Sequence, residues 1–152
     1  MSADTYLDVE FNTSDRYQVN IILPDQESQY EYNANKFAKK NFTSHVRKIL
    51  NKNGIETDDK FEYWNISFQD EFGKFSQVEK SGQEALQLFA AVIKVTENFV
   101  KSKKPKVFGF SAKTTEASRV KLYDLLARKV KGYKLYTGNI SGEKWYIFNK
   151  EK

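Results

Sequence analysis

"VFGFSAKTTEASRVKLYDLLARKVKGYKLY", residues Val107 to Tyr136, decides the fold. Val107, Phe108 and Phe110 form a short apolar run of the kind seen in a strand buried on both faces, and Gly109 within it marks a place where another group packs closely on the backbone. A polar turn, Ser111 to Glu116, follows. From about Thr115 to Lys131 the residues Ala117, Val120, Tyr123, Ala127 and Val130 recur at helical spacing. Gly132 supplies a stop, and "YKLY" opens another strand. The polar residues just past the first strand, Ser111, Thr114, Thr115, Glu116 and Arg119, are the first candidate site. Ligands of open sheets bind beyond the carboxyl ends of strands, and these hydroxyls with one guanidinium could jointly hold an anion or a partner.

Working outward, "YKLYTGNISGEKWYIFN" reads as a strand pair across Asn139 to Gly142. Upstream, Ser81, Gly82, Gln83 and Glu84 fit a capping box, in which a serine oxygen and a glutamate three residues on satisfy orphan helix amides. They predict a helix to about Ser102 with Leu86, Phe89, Ala90, Ile93 and Val100 on its buried stripe and Phe99 alongside. "KFEYWNISFQD" carries Trp64, Ile66 and Phe68 on one face and Phe61 and Tyr63 on the other, a strand covered on both sides. "DEFGKF" turns and "KFSQVEK" returns. In the N-terminal part, Leu7, Val9 and Phe11 alternate as in a half-buried strand, and "RYQVNIIL" continues as its hairpin partner. Tyr30 and Tyr32 begin a third strand, and a helix runs from Thr43 to Gly54 with Val46, Ile49 and Leu50 inward. The expected fold is α+β: one domain over residues 1–152, a mixed sheet with packed helices. Residues 1–60 are a strand-rich half with one helix, and 61–152 a β-hairpin followed by β-α-β-α-β-β.

At 152 residues, with 39% hydrophobic and 30% charged, the chain has globular proportions, and its 12 Phe and 9 Tyr can fill a core without staples. It has no cysteine, which excludes disulfides, thiolate metal sites and a cysteine nucleophile. A single histidine, His45, excludes multi-histidine metal sites. The N-terminus has no apolar signal core and no apolar run reaches bilayer length, so the expected setting is a cytoplasm, or a particle packaged from one. Net charge is +5. Two lysine-rich knots carry the excess, Lys101, Lys103, Lys104 and Lys106, then Arg128, Lys129, Lys131 and Lys134. They read either as cations complementing helix ends or as a nucleic-acid surface.

The order from Phe68 to Phe148 resembles the C-terminal half of the GNAT N-acetyltransferase fold. The residues that carry the likeness are the Ser81 to Glu84 helix start, Val107 to Ala112, Leu122 with Tyr123, and Gly132 with Tyr133. "YWNISF", "LFAAVIKV" and "FSAKTTEASRVKLYDLL" also resemble a family of small bacteriophage-encoded proteins without an assigned activity. The first resemblance implies acetyl-CoA as cofactor, held by amides at Ser81, Gly82 and Gln83, and Tyr123 as general acid. The sequence departs from that pattern. Glu79 stands where the family has Gln or Arg, and Glu84 where it has a small residue, so two carboxylates would face the pyrophosphate. The Tyr123 to Gly132 interval is also longer than the family's turn.

With the phage context that the second resemblance implies, the expectation is a phage-encoded, non-catalytic binding protein with no cofactor, acting on a host or phage protein in the host cytoplasm or virion. The alternatives are an acyl-CoA-dependent acetyltransferase and a nucleic-acid-binding protein using the lysine clusters. Tyr123 reads most simply as a core tyrosine, and Glu116 with Arg119 as a local helix pair. His45 lacks a carboxylate at a spacing that would make it a base. Asp58, Asp59, Asp70 and Glu71 lack metal-ligand spacing, and no metal is expected. Trp64 and Trp145 fall within alternating strands and read as core rather than as base-stacking platforms.

Overall fold

The computed structural model describes residues 5–24, 29–70 and 82–151. Among these, β1 (Tyr6–Asn12), β2 (Arg16–Ile22) and β3 (Gln29–Phe37) precede α1 (Lys40–Lys52). Then come β4 (Tyr63–Asp70), α2 (Gly82–Lys103), β5 (Val107–Lys113), α3 (Ala117–Lys129), β6 (Tyr133–Ile140) and β7 (Glu143–Lys150). The strands form one mixed sheet in the order β1-β2-β3-β4-β5-β7-β6, in which β4 and β5 run parallel while β1 with β2, β5 with β7 and β6 with β7 run antiparallel. The α+β class, the mixed sheet and the order from β4 to β7 are those expected from sequence. The returning strand "KFSQVEK" lies outside the described residues. By packing the chain divides into two compact units, Met1–Ala34 with Ser67–Lys104, and Asn35–Ile66 with Pro105–Lys152.

In the first unit α2 covers the β2 face made by Tyr17, Val19 and Ile21, with the Tyr17 and Phe99 rings 5.7 Å apart. Thr96, buried in mid-helix, shares a 2.9 Å hydrogen bond with the Tyr32 hydroxyl, and its own hydroxyl reaches back to the Val92 carbonyl at 2.8 Å. The buried stripe of α2 is Leu88, Ala91, Val92, Val95, Thr96 and Phe99. This corrects the stripe expected from sequence, since Leu86 is 69% exposed and Ala90 faces solvent. The helix is apolar on more than one side, so spacing alone fits two stripes, and the contacts of Phe99 with Tyr17 and of Thr96 with Tyr32 select one.

β1 also departs from expectation. Val9 is 52% exposed and Phe11 is exposed too. The strand lies at the sheet edge, and a bulge between Val9 and Phe11 puts Phe11 opposite Gln18 instead of on the helix-covered face. There the Arg16 guanidinium lies 4.1 Å from the Phe11 ring centre, and Glu10 accepts hydrogen bonds from Gln18 at 2.8 Å and Asn20 at 3.0 Å.

The second unit is layered. On one sheet face α1 packs Val46, Ile49 and Leu50 against Phe61, Tyr63, Val107 and Ile147. On the other, Phe108 stacks on Phe148 with centroids 4.9 Å apart, and Phe110 contacts Tyr123 of α3 at 4.2 Å. Gly109 is required by close approach: a methyl there would run into the Tyr146 carbonyl and stand 3.2 Å from the Ile147 Cα. The turn from β6 to β7 places Ser141 and Gly142 at positive φ, 53° and 79°, as a two-residue hairpin demands.

Helix α1 starts at Lys40 rather than Thr43. Thr43 is buried inside the first turn, donating to the Lys39 carbonyl at 3.0 Å and accepting from Arg47 Nε at 2.8 Å. Arg47 is itself buried, with the Asp58 carbonyl 2.9 Å from Nη1 and the Phe61 ring 4.9 Å from its guanidinium. Helix α3 buries Leu122, Tyr123 and Leu126, which corrects the expected stripe: Val120, Ala127 and Val130 are only half-buried. Tyr123 and Leu126 share the face toward Phe110, and Leu122 sits where sequence spacing gave it no role.

Candidate functional site

The turn that joins β5 to α3 is built from its own hydrogen bonds. The Glu116 amide donates to the Lys113 carbonyl at 2.9 Å, and the Lys113 amide donates to Glu116 Oε1 at 3.3 Å. Thr114 anchors the turn to the β6–β7 hairpin, its amide 3.0 Å and its hydroxyl 3.3 Å from the Gly142 carbonyl. Glu116 precedes the first residue of α3, and its backbone carbonyl accepts the Val120 amide at 3.0 Å. Its side chain turns back to Lys113 and caps none of the helix amides. Arg119 Nε stands 3.6 Å from Glu116 Oε2, one turn along, a part-exposed pair worth tenths of a kcal/mol up to about 1.

Thr114, Thr115, Glu116 and Arg119 therefore gather around one turn, with Thr114 and Thr115 exposed. Ser111 does not join them. It lies opposite Trp145 in the β5–β7 register and alternates onto the face away from Phe110, the residue on which α3 packs. Ser81 lies outside the described residues, as does Glu79, and for Gly82, Gln83 and Glu84 only their place in the first turn of α2 is described.

Tyr123 is 1% exposed, with Phe110 on one side and the Tyr146 ring 5.9 Å away. Burial pushes its hydroxyl well above the ordinary tyrosine range, Arg119 counteracting in part. Beside it is a group the sequence did not point to. Tyr146 donates to Asp124 Oδ1 at 2.5 Å, and Lys144 Nζ reaches the same oxygen at 3.3 Å while lying 4.9 Å from the Tyr146 ring centre. Burial, then the Asp124 hydrogen bond, raise the Tyr146 hydroxyl as well. One carboxylate thus receives a phenol and an ammonium, which ties α3 to β7 and keeps the phenol protonated. The signal available in sequence was Lys144, Tyr146 and Phe148 alternating on one face; what it lacked was the pairing of β7 with β5 that brings this face under Asp124.

Glu71 and the Asp70 side chain lie outside what is described, and the other candidates have structural partners. The His45 ring meets Trp145 edge-on at 5.4 Å. Asp59 pairs with Lys40 at 3.0 Å, which holds its carboxyl below the usual range, and Asp58 accepts the Lys60 amide at 2.9 Å. Among the described residues no cluster of His, Cys, Asp and Glu could hold a metal ion, and no helix is long and apolar enough to cross a membrane. No protein-family model matches the chain, and no curated protein is significantly similar to it.

Proposed function

We propose that this chain is a non-catalytic binding protein on an acetyltransferase-like scaffold, encoded by a phage and acting on a host or phage protein as a virion accessory or counter-defence factor. The order β4-α2-β5-α3-β6-β7, with β5 parallel to β4, supports the scaffold. One observation carries the non-catalytic reading. A general acid must come within hydrogen-bond reach of the group it protonates, and Tyr123, the residue at the family's acid position, is closed into a stack of rings. The surface assigned to recognition is the α3 turn, held in one shape by Thr114 and Glu116 and presenting Thr115 beside the Glu116–Arg119 pair.

The test is capture of partners from infected-cell lysate by wild type and Arg119→Ala. The reading expects the same fold and partner capture about 5- to 150-fold weaker, the range of 1 to 3 kcal/mol for an interfacial arginine. Identical partners at identical yield would leave the turn with a folding role alone.

A further inference from the structure

Segment 105–151 carries its charges at two ends. Glu116, Asp124 and Glu143 lie where β5 finishes and β7 begins, near Lys113 and Lys144. At the other end the Val107–Asn149 register sets Lys106 opposite Lys150, whose amide donates to the Lys106 carbonyl at 2.9 Å. The Glu151 amide donates to the Gly132 carbonyl at 3.0 Å, which brings Lys131 and Lys134 to the same strand ends, and Arg128 and Lys129 close α3 just before them. All six cations are exposed, and none is in an ion pair among the described residues. Glu151 is the one carboxylate among them. The helix dipole accounts for Arg128 and Lys129. It does not account for Lys106 and Lys150, like charges directly opposite across a strand pair, an arrangement that destabilises a sheet.

We propose that this basic end binds duplex nucleic acid through its phosphate backbone, without reading sequence. Spaced cations outnumbering the single carboxylate of Glu151 match a polyanion, and each phosphate neutralised releases counterions that drive association. A protein partner would need a buried apolar or aromatic anchor, and a membrane surface an apolar face to insert; the one exposed large hydrophobic nearby is Leu135, at a strand edge. Single strands bind by stacking on free rings. Here Tyr133 packs edge-on against Phe108 at 4.9 Å and its hydroxyl donates to the Pro105 carbonyl, while Tyr136 packs into the α1 face. The duplex backbone is what remains. This surface lies at the end of β5 opposite the α3 turn, and the inference stands whether or not that turn recognises a protein.

The test is fluorescence anisotropy of the full chain with a labelled random-sequence duplex of about 20 base pairs, over roughly 50 to 200 mM salt. Wild type is expected to bind in the micromolar range at the low-salt end, with log affinity falling against log salt at a slope of about −5 to −5.5 for six cations. Lys106→Gln/Lys131→Gln/Lys134→Gln/Lys150→Gln should bind at least about 100-fold more weakly with a slope about 3.5 shallower. Its thermal midpoint should be unchanged or higher, because repulsion between Lys106 and Lys150 is relieved. A control on and beside α1, Lys48→Gln/Lys52→Gln/Lys60→Gln, should keep affinity within about two-fold. If the fourfold variant does not fold, Lys106→Gln/Lys150→Gln is read instead, with a loss of about 10-fold or more expected. Absence of duplex binding at low salt, an equal loss in the control, or equal binding to polyglutamate or anionic vesicles overturns the proposal.

Discussion

The Tyr146–Asp124 contact ties α3 to the sheet, and a double-mutant cycle measures it. Tyr146→Phe keeps the ring stack against Phe110 and removes the 2.5 Å bond to the carboxylate. The Asp124 side chain is 48% exposed, so water recovers part of what the carboxylate loses, and the expected cost is about 1 kcal/mol, below the usual range for hydrogen bonds to charged groups. Asp124→Ala costs more. It leaves a buried hydroxyl with only the Val120 carbonyl at 3.5 Å, and it removes the partner of Lys144. An unsatisfied buried hydroxyl costs about 1 to 3 kcal/mol and a part-exposed ion pair at most about 1, so about 2 to 3 in total is expected. The double variant has neither partner left unsatisfied and should cost only the Lys144 pair, at most about 1 kcal/mol, so the coupling energy should be about 2 to 3 kcal/mol. Urea unfolding of the four proteins gives it, with midpoints shifted and slopes unchanged. A coupling energy indistinguishable from zero would refute the reasoning, because it would mean that phenol and carboxylate meet water rather than each other.

Gly109→Ala should destabilise by about 3 kcal/mol, the upper end for overpacking, since the new methyl meets the Tyr146 backbone, which cannot move aside; a thermal midpoint lowered by less than a few degrees would contradict this. Arg47→Met should lose about 2 to 3 kcal/mol despite its similar length, because the Asp58 carbonyl and the Thr43 hydroxyl lose their donor; an unchanged urea midpoint would show that water replaces the guanidinium. Burial raises the hydroxyls of both Tyr63 and Tyr123, so the folded state holds their protons more tightly than the unfolded chain. Their contribution to stability is complete below about pH 10 and is lost as pH rises beyond it, by up to about 1.4 kcal/mol per pH unit for each. A stability profile flat from about pH 9 to 11 would place these hydroxyls in water.

The strands were legible where alternation met a covering layer. Rings on both sides of β4 signalled two covered faces, and Tyr63 and Trp64 are buried on opposite ones. Val46, Ile49 and Leu50 of α1 stood out because, apart from the exposed Phe42 in its first turn, that helix is polar elsewhere. The pattern failed where either face of an element could have been the inner one, as in α2. It failed again in β1, an edge strand where Val9 stays exposed although it pairs with Val19, and where one extra residue turns Phe11 to the other face. In the candidate site, Glu116 and Arg119 were readable as a local pair because helical spacing alone brings them together. Ser111 was grouped with them by proximity in sequence, whereas the period-two alternation of β5 sends it to the other face. Asp124 with Tyr146 and Lys144 was not readable, because residues separated in sequence meet only once β7 has taken its place beside β5.

The central claim, that this scaffold binds without catalysing acyl transfer, is tested most directly by calorimetric titration of the full chain with acetyl-CoA. With Tyr123 closed into the ring stack, and with the sequence putting Glu79 and Glu84 where the resemblance to acetyltransferases would put the cofactor loop, no saturable heat should appear at millimolar ligand, nor any thermal stabilisation, which requires ligand in excess of its dissociation constant. A saturable isotherm with a midpoint rise of several degrees would contradict the account and make the chain an acyl-CoA-binding enzyme candidate.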